Sequence, residues 1–294
     1  MTDAKATLTD LYQLTMLQSY WREGMDGEAV FDLFIRRLKN RDFFLVAGVT
    51  DSLRDLEDLE FTQKELRYLR EQPQFEGEFI QWLADWEFTC DVRGVQDGRV
   101  MYPNEPILQI SGPIYEAQLV ETILLNKIQH ETNVATKAAH IVRAADGKPV
   151  ADFGLRRAPN REGAMRGSRA AYIGGVASTS NVAAGQEYGI PITGTMAHSY
   201  VEAHDDEKEA FREFATTFPG TVVLIDTYDT LNGAEKVVEL LDEGYDIGGV
   251  RLDSGDLAHL SKAVRQYLDS QGYPDVDIYA SSGLQEDKIR DLEN

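Results

Sequence analysis

A single cysteine, Cys90, occurs in 294 residues, which excludes an intrachain disulfide and any CxxC metal site. Long apolar runs are also missing: none approaches the roughly 20 residues that a membrane helix needs. The opening residues Met1-Thr-Asp-Ala-Lys-Ala6 contain neither a basic stretch nor an apolar core, so no secretory signal is expected and the chain reads as cytoplasmic. Positive charge is scarce. There are 29 basic against 50 acidic residues, a net charge of −21, and this disfavours nonspecific nucleic-acid binding, which works by neutralising phosphates. Histidine spacings of the HxxxH or HxH kind are absent, and no metal site held by protein alone is expected.

The acidic residues are spread along the chain rather than gathered in a tail. Such a surface fits a halophilic, salt-rich cytosol in which repulsion is screened, and fits an ordinary solvated acidic surface nearly as well. Against this background any anion site must be a local basic concentration.

The first 112 residues read as an N-terminal α/β domain. Thr7-Leu-Thr-Asp10 looks like a helix start with Thr7 or Thr9 as cap. Glu28 to Ile35 alternates as a strand and ends in the basic pair Arg36-Arg37. Thr62-Gln-Lys-Glu65 fits a capping box. Gln74 to Trp86 has helical spacing, with Phe75, Phe79, Trp82, Leu83 and Trp86 as core. Val92 to Ile110 alternates in short pieces and suggests a small antiparallel sheet.

Residues 113–294 form the second expected domain, and its character changes from Lys148. A helical region from Ala117 to Ala145 carries His130 and His140 as packing or surface residues. Five short β-type runs follow, at Pro149 to Phe153, Ile190 to Thr193, Thr221 to Ile225, Ile247 to Arg251 and Val276 to Tyr279, with helical stretches between them. Later strand starts recur at intervals of roughly 30 residues, as parallel βα units do. The expectation is an irregular TIM-like α/β barrel, whose active site lies where the strands end.

The chemistry gathers at those ends. Asp152-Phe-Gly-Leu-Arg-Arg157 offers an aromatic, Phe153, that can stack on a flat ring, and cations, Arg156 among them, that can clamp a carboxylate or phosphate. Arg161, Arg166 and Arg169 follow closely and strengthen the case for an anionic ligand. Ser178-Thr-Ser-Asn181 precedes a short predicted helix, where an anion can sit or a cap can simply close the helix. His198, in Gly194-Thr-Met-Ala-His-Ser199, can serve as base, ligand or phosphoryl acceptor, with Asp226 and Asp229 able to orient it. In Arg251-Leu-Asp-Ser-Gly-Asp256, Asp253 is a candidate for ribose hydroxyls or Mg²⁺, and Asp256 can merely cap a helix. Ser281-Ser-Gly283, with Ser282 and Gly283, can take a phosphate on backbone amides.

These stretches, with Thr9-Asp-Leu-Tyr-Gln-Leu-Thr-Met16 and Ala135-Thr-Lys-Ala-Ala139, come in the order found in nicotinate phosphoribosyltransferases, and the sequence resembles that family over nearly its whole length. The resemblance implies a type II phosphoribosyltransferase fold. It also implies transfer of phosphoribose from PRPP to nicotinate, coupled to ATP hydrolysis through a phosphohistidine, with Mg²⁺. By this likeness His198 matches the phosphorylated histidine and Asp226 its partner carboxylate. Phe153 matches the aromatic below the pyridine ring, and Tyr12, from a neighbouring subunit of a homodimer, the one above. Arg251 and Asp253 match groups near the nucleotide phosphate and ribose, and Arg36 an arginine that reaches phosphates across the dimer. Ser180 stands where the nicotinamide-using relative has an acid, which favours a carboxylate-bearing acceptor. The family's later strands, glycine-rich phosphate loop and C-terminal basic residues find no match before Asn294, so a C-terminally truncated reading is expected. The competing readings are quinolinate phosphoribosyltransferase, which would need more cations and no ATP-linked histidine, and a non-catalytic nucleotide-binding remnant.

Overall fold

The computed structural model describes residues 6–36 and 41–293. Arg37 and the first five residues, on which two expectations fall, lie outside them. The chain forms two compact units: Met1–Val142 with Pro149–Ile192, and Arg143–Lys148 with Thr193–Asn294.

In the first unit, α1 (Leu11–Glu23) ends at Gly24, whose φ of 66° is left-handed. The N–H groups of Gly24 and Met25 return to the carbonyls of Trp21 and Tyr20, closing the helix as glycine readily does. The helix starts at Asp10 rather than at Thr7 or Thr9. Those two hydroxyls have long-range partners instead, Thr7 on Glu65 at 2.6 Å and Thr9 on the Leu119 carbonyl at 3.5 Å.

Then come β1 (Glu28–Phe34), β2 (Phe44–Leu45), α2 (Val49–Glu57), α3 (Gln63–Arg70), α4 (Gly77–Leu83), β3 (Asp91–Gly94), β4 (Val100–Met101) and β5 (Pro106–Pro113). The expected small antiparallel sheet is present, in the order β1-β5-β3, while β2 pairs separately with β4. The capping box forms: the Glu65 N–H donates to the Thr62 hydroxyl, and the Thr62 N–H to the Glu65 carboxylate at 2.9 Å. Phe79, Leu83 and Trp86 are core as expected, with Leu17, Leu108 and Leu124; Phe75 and Trp82 are only partly buried against them.

The helical region after Pro113 is two helices, α5 (Ile114–Leu119) and α6 (Glu121–Ala144), divided at Val120. The unit resumes with β6 (Ala151–Asp152), a tight 3₁₀ turn at Leu155–Arg157, α7 (Arg161–Ile173), β7 (Ser178–Thr179) and α8 (Val182–Tyr188). Strands β6 and β7 are parallel, and Thr179 forms one parallel bridge to Ile192. The run Ile190 to Thr193 therefore contributes a single bridge and not a strand; Pro191 at its centre has no N–H to donate to a ladder. Ser178-Thr179, for which no strand was expected, is one.

The second unit repeats helix and strand: α9 (His198–Glu202), α10 (Glu207–Thr217), β8 (Thr221–Leu224), α11 (Thr230–Asp242), β9 (Ile247–Leu252), α12 (Leu257–Ser270), β10 (Asp277–Ala280) and α13 (Glu286–Glu293). The three strands make a parallel sheet in sequence order. Val223, Leu224, Val250 and Leu252 are buried in it, as expected for strands covered by their own crossover helices. Gly233 lets α11 close on the end of β8: a Cβ there would lie 2.3 Å from the Ile225 carbonyl oxygen.

Candidate active site

In the second unit the three loops that follow β8, β9 and β10 converge. The parallel ladder runs one residue past β8 and β10, with Ile225 N–H on the Arg251 carbonyl and Ser281 N–H on the Leu252 carbonyl. This register places Asp226, Asp253 and Ser281 side by side. Asp226 is 9% exposed. Its Oδ2 accepts the Asp253 N–H at 2.8 Å and the Ser254 hydroxyl at 2.6 Å; its Oδ1 is buried with no partner among the described residues. The Ser281 hydroxyl donates to Asp253 Oδ1 at 2.5 Å, and Asp253 Oδ2 faces His198 Nε2 at 3.7 Å.

His198 opens α9, and its side chain is 40% exposed. Its Nδ1 lies 3.2 Å from Thr227 Oγ1. The loop that presents it is tethered to the sheet: the Thr195 hydroxyl donates to the Val222 carbonyl, and the Arg251 guanidinium to the Met196 carbonyl at 3.1 Å. The expected pairing of imidazole with Asp226 is not made in this structure. Asp226 bonds the loop after β9, and the imidazole instead meets Thr227 and Asp253. Asp229, also considered for the imidazole, caps α11 by accepting from Asn232 N–H. Asp256 caps α12 by accepting from His259 N–H. Ser282 and Gly283 have φ values of 87° and 58°, and neither N–H is bonded among the described residues, leaving two amides available to an anion.

In the first unit a second constellation is centred on Asp152. Phe153 is half-buried after it, while Arg156 and Arg157 are exposed and have no ion partner among the described residues. The Ser180 N–H donates to the Asp152 carbonyl at 2.9 Å, and the Ser180 hydroxyl makes no hydrogen bond among the described residues. Asn181 caps α8 through Ala184 N–H. Tyr12 is 47% exposed; its hydroxyl donates to Glu121 and accepts from Gln13, each at 3.0 Å. Partial burial and the Glu121 carboxylate hold that phenol above its ordinary range. Arg36 is exposed just past β1.

The basic concentration expected after Arg157 is smaller than its count suggests. Arg169 donates to Glu131 at 3.1 Å and to Asp97 at 2.9 Å. Arg166 meets Glu131 at 3.3 Å and Glu162 at 3.1 Å. Glu131 is fully buried between the two guanidiniums. Burial pushes its carboxyl upward against their opposing pull, and these two guanidiniums are engaged by carboxylates rather than standing free. Thr227 and Ser281 as orienting hydroxyls, and the Asp152 network, carried no periodic signal; their mark is only their place within the loop motifs.

The N-terminal domain model of nicotinate phosphoribosyltransferases matches residues 7–129, and the model of the nicotinate phosphoribosyltransferase family matches residues 149–293. A nicotinate phosphoribosyltransferase of Mycobacterium tuberculosis is 50% identical over 291 residues, covering 98% of this chain and 63% of its own length. One from Bacillus subtilis is 41% identical, covering 99% of this chain and 60% of its own length. The crystal structure of human nicotinic acid phosphoribosyltransferase superposes with a TM-score of 0.87 at 31% identity, over 97% of this chain and 70% of that one. The chain thus spans less than two thirds of the bacterial relatives' length, and matches in sequence and in fold: it belongs to the nicotinate phosphoribosyltransferase family.

Proposed function

We propose that the protein transfers phosphoribose from PRPP to nicotinate, forming nicotinate mononucleotide and pyrophosphate with coupled ATP hydrolysis. The observation that carries this reading is the cluster at the ends of β8, β9 and β10, in which His198 meets Thr227 and Asp253 while Asp226 and Ser281 hold Asp253.

Loss of pyrophosphate leaves positive charge on the ribosyl carbon. Fixed carboxylates such as Asp253 stabilise that charge, and preorganised donors stabilise the departing phosphates. Arg251, Arg36 and the amides of Ser282 and Gly283 are assigned to phosphate. Phe153, Arg156 and Ser180 are assigned to the acceptor, with Tyr12 supplied by the second subunit of a homodimer. A serine at 180 accepts a pyridine carboxylate without repulsion. His198 takes the phosphoryl group of ATP, and Asp226 acts on it through the Asp253 loop. Mg²⁺ fits the donor set here: phosphate-handling sites hold it with one or two carboxylates plus substrate oxygens, Asp226 Oδ1 and Asp253 would supply those carboxylates, and the ion would offset pyrophosphate charge. The reading takes 1–112 as the N-terminal domain and 113–294 as the barrel portion of a cytoplasmic enzyme. Quinolinate is a poorer acceptor on this view, because Arg166 and Arg169 are already matched by Glu131, Asp97 and Glu162.

The test is product formation from PRPP with nicotinate, nicotinamide or quinolinate, with and without ATP. Nicotinate mononucleotide is expected from nicotinate alone, faster with ATP. His198→Ala should keep a slow rate that no longer responds to ATP. Folded protein that makes no nucleotide from nicotinate would overturn the assignment.

A further inference from the structure

Asp152 binds no ligand in the reading above, yet it is the most connected residue of the acceptor loops. Its Oδ1 accepts the Gly154 N–H at 2.8 Å. Its Oδ2 accepts two hydroxyls, Ser168 and Thr179, each at 2.9 Å. Its carbonyl accepts the Ser180 N–H at 2.9 Å. An ionised carboxylate is acceptor-only, so all three side-chain bonds run in the favourable direction at once. Gly154 is matched to this arrangement, since a Cβ there would stand 2.8 Å from Asp152 Oδ1.

The donors are themselves fixed. Ser168, Thr179 and Asn181 are 3%, 1% and 2% exposed, and a hydroxyl buried that deeply must be bonded. Asn181 completes the set by donating from Nδ2 to Ser168 Oγ at 3.2 Å and from its N–H to Thr179 Oγ1 at 3.1 Å. Ser168 lies on α7 between Arg166 and Arg169, the two residues that fasten this helix to buried Glu131. The contacts therefore run without a gap from Glu131 through α7 and Ser168 to Asp152. From there they reach the turn bearing Phe153 and Arg156 on one side and Ser180 on the other.

We infer that Asp152 is a positioning residue: it locks the aromatic–arginine turn and the Ser180 turn into one rigid acceptor cradle. The inference rests on the acceptor roles proposed above for Phe153, Arg156 and Ser180, and it sets the geometry between them. Residues held by a shared carboxylate do not reorient when the acceptor arrives, so the energy of ordering them is not charged against binding.

Two readouts test it. The first is independent of activity: trypsin cleavage after Arg156 and Arg157 in the folded protein, with circular dichroism and thermal midpoint confirming the fold of each variant. The second is the split between KM and kcat. Asp152→Asn and Thr179→Val are expected to speed cleavage about tenfold. They should raise KM for nicotinate about tenfold, the scale of one lost charge-assisted bond, with kcat and the KM for PRPP nearly unchanged. Thr179→Ser keeps the hydroxyl and should return both readouts towards wild type. Unchanged cleavage in Asp152→Asn, or unchanged KM for nicotinate in a transferring enzyme, overturns the inference. A wild-type protein that transfers no phosphoribose refutes the proposed function alone, and the cleavage readout still decides whether Asp152 holds the cradle.

Discussion

The two ring nitrogens of His198 face different groups, Nδ1 the Thr227 hydroxyl and Nε2 the Asp253 carboxylate. A carboxylate favours a proton on the nitrogen that faces it, so the neutral ring should carry its proton on Nε2 while Thr227 donates to Nδ1. Thr227→Val is then expected to shift the ¹⁵N imidazole signals away from the Nε2–H tautomer; Thr227→Ser should restore them. Identical ¹⁵N spectra in the wild type and Thr227→Val would refute the tautomer assignment. Asp226 and Asp253 could be picked from sequence because each follows an apolar run and so falls at a strand end; the run before His198 makes only a single bridge, and there the motif alone pointed to the residue. Thr227 and Ser281 could not, because a loop hydroxyl looks the same whether it aims a histidine or meets water. Arg166 and Arg169 misled for a related reason. A cation shows in the sequence as charge, but Glu131, its buried counter-charge, lies on α6 some 35 residues away, and spacing along the chain does not reveal that pairing.

Elements long enough to show a period were legible, and short ones were not. The strands β8 to β10 stand close to their expected ranges, and the helices α10 to α12 fill the stretches before and between them, because each holds an apolar face for several residues. Strands β2 and β7 have two residues apiece, too few to alternate, whereas β4 and β6, equally short, fall inside the expected runs Val92 to Ile110 and Pro149 to Phe153. Helix α7 is hard to see in the sequence because its arginines resemble ligand chemistry, although Asn160 caps it and alanines fill it. The best-specified local signal was the Thr62–Glu65 capping box, and it yields a pH prediction. Burial raises the Glu65 carboxyl, but hydrogen bonds from Thr62 and Thr7 outweigh burial and leave it below its ordinary value. The ionised form therefore stabilises the fold. Its contribution is complete above the unfolded value, near about 4.3, and is lost as pH falls through the lower folded value. Glu65→Gln should cost about 1 kcal/mol at neutral pH, read as a lower urea midpoint, and the gap from wild type should narrow as pH falls below the unfolded value. A gap that stays constant or widens would show that the carboxylate charge is not the stabilising feature.

At the scale of the whole chain, 50 acidic residues face 29 basic ones. Ion pairs offset only part of the excess. Lys208 bridges Glu239 and Glu243 at 2.7 and 2.8 Å, and Arg265 meets Asp269 at 2.7 Å, but exposed pairs of this kind contribute little. The net charge of −21 leaves carboxylates repelling one another in the folded state more than in the expanded one. Added salt weakens both terms. Because repulsive contacts outnumber attractive ones, stability should rise. Screening shortens from about 30 Å at 0.01 M to about 10 Å at 0.1 M and about 3 Å at 1 M, so most of the gain should arrive below about 0.5 M and then level off. Stabilisation by exclusion of the solute from the surface would instead keep climbing with concentration. The expected gain is on the order of 1–2 kcal/mol, a few degrees in Tm for a chain of this size, followed by scanning calorimetry in potassium chloride with sucrose as the uncharged comparison. Reversing acids to lysine at exposed positions with no ion pair among the described residues, such as Glu57, Glu60 and Asp275, should raise Tm at low salt and reduce its response to salt. A Tm that falls as potassium chloride is added would mean that the ion pairs outweigh the repulsion, and the acidic surface would then be no adaptation to salt.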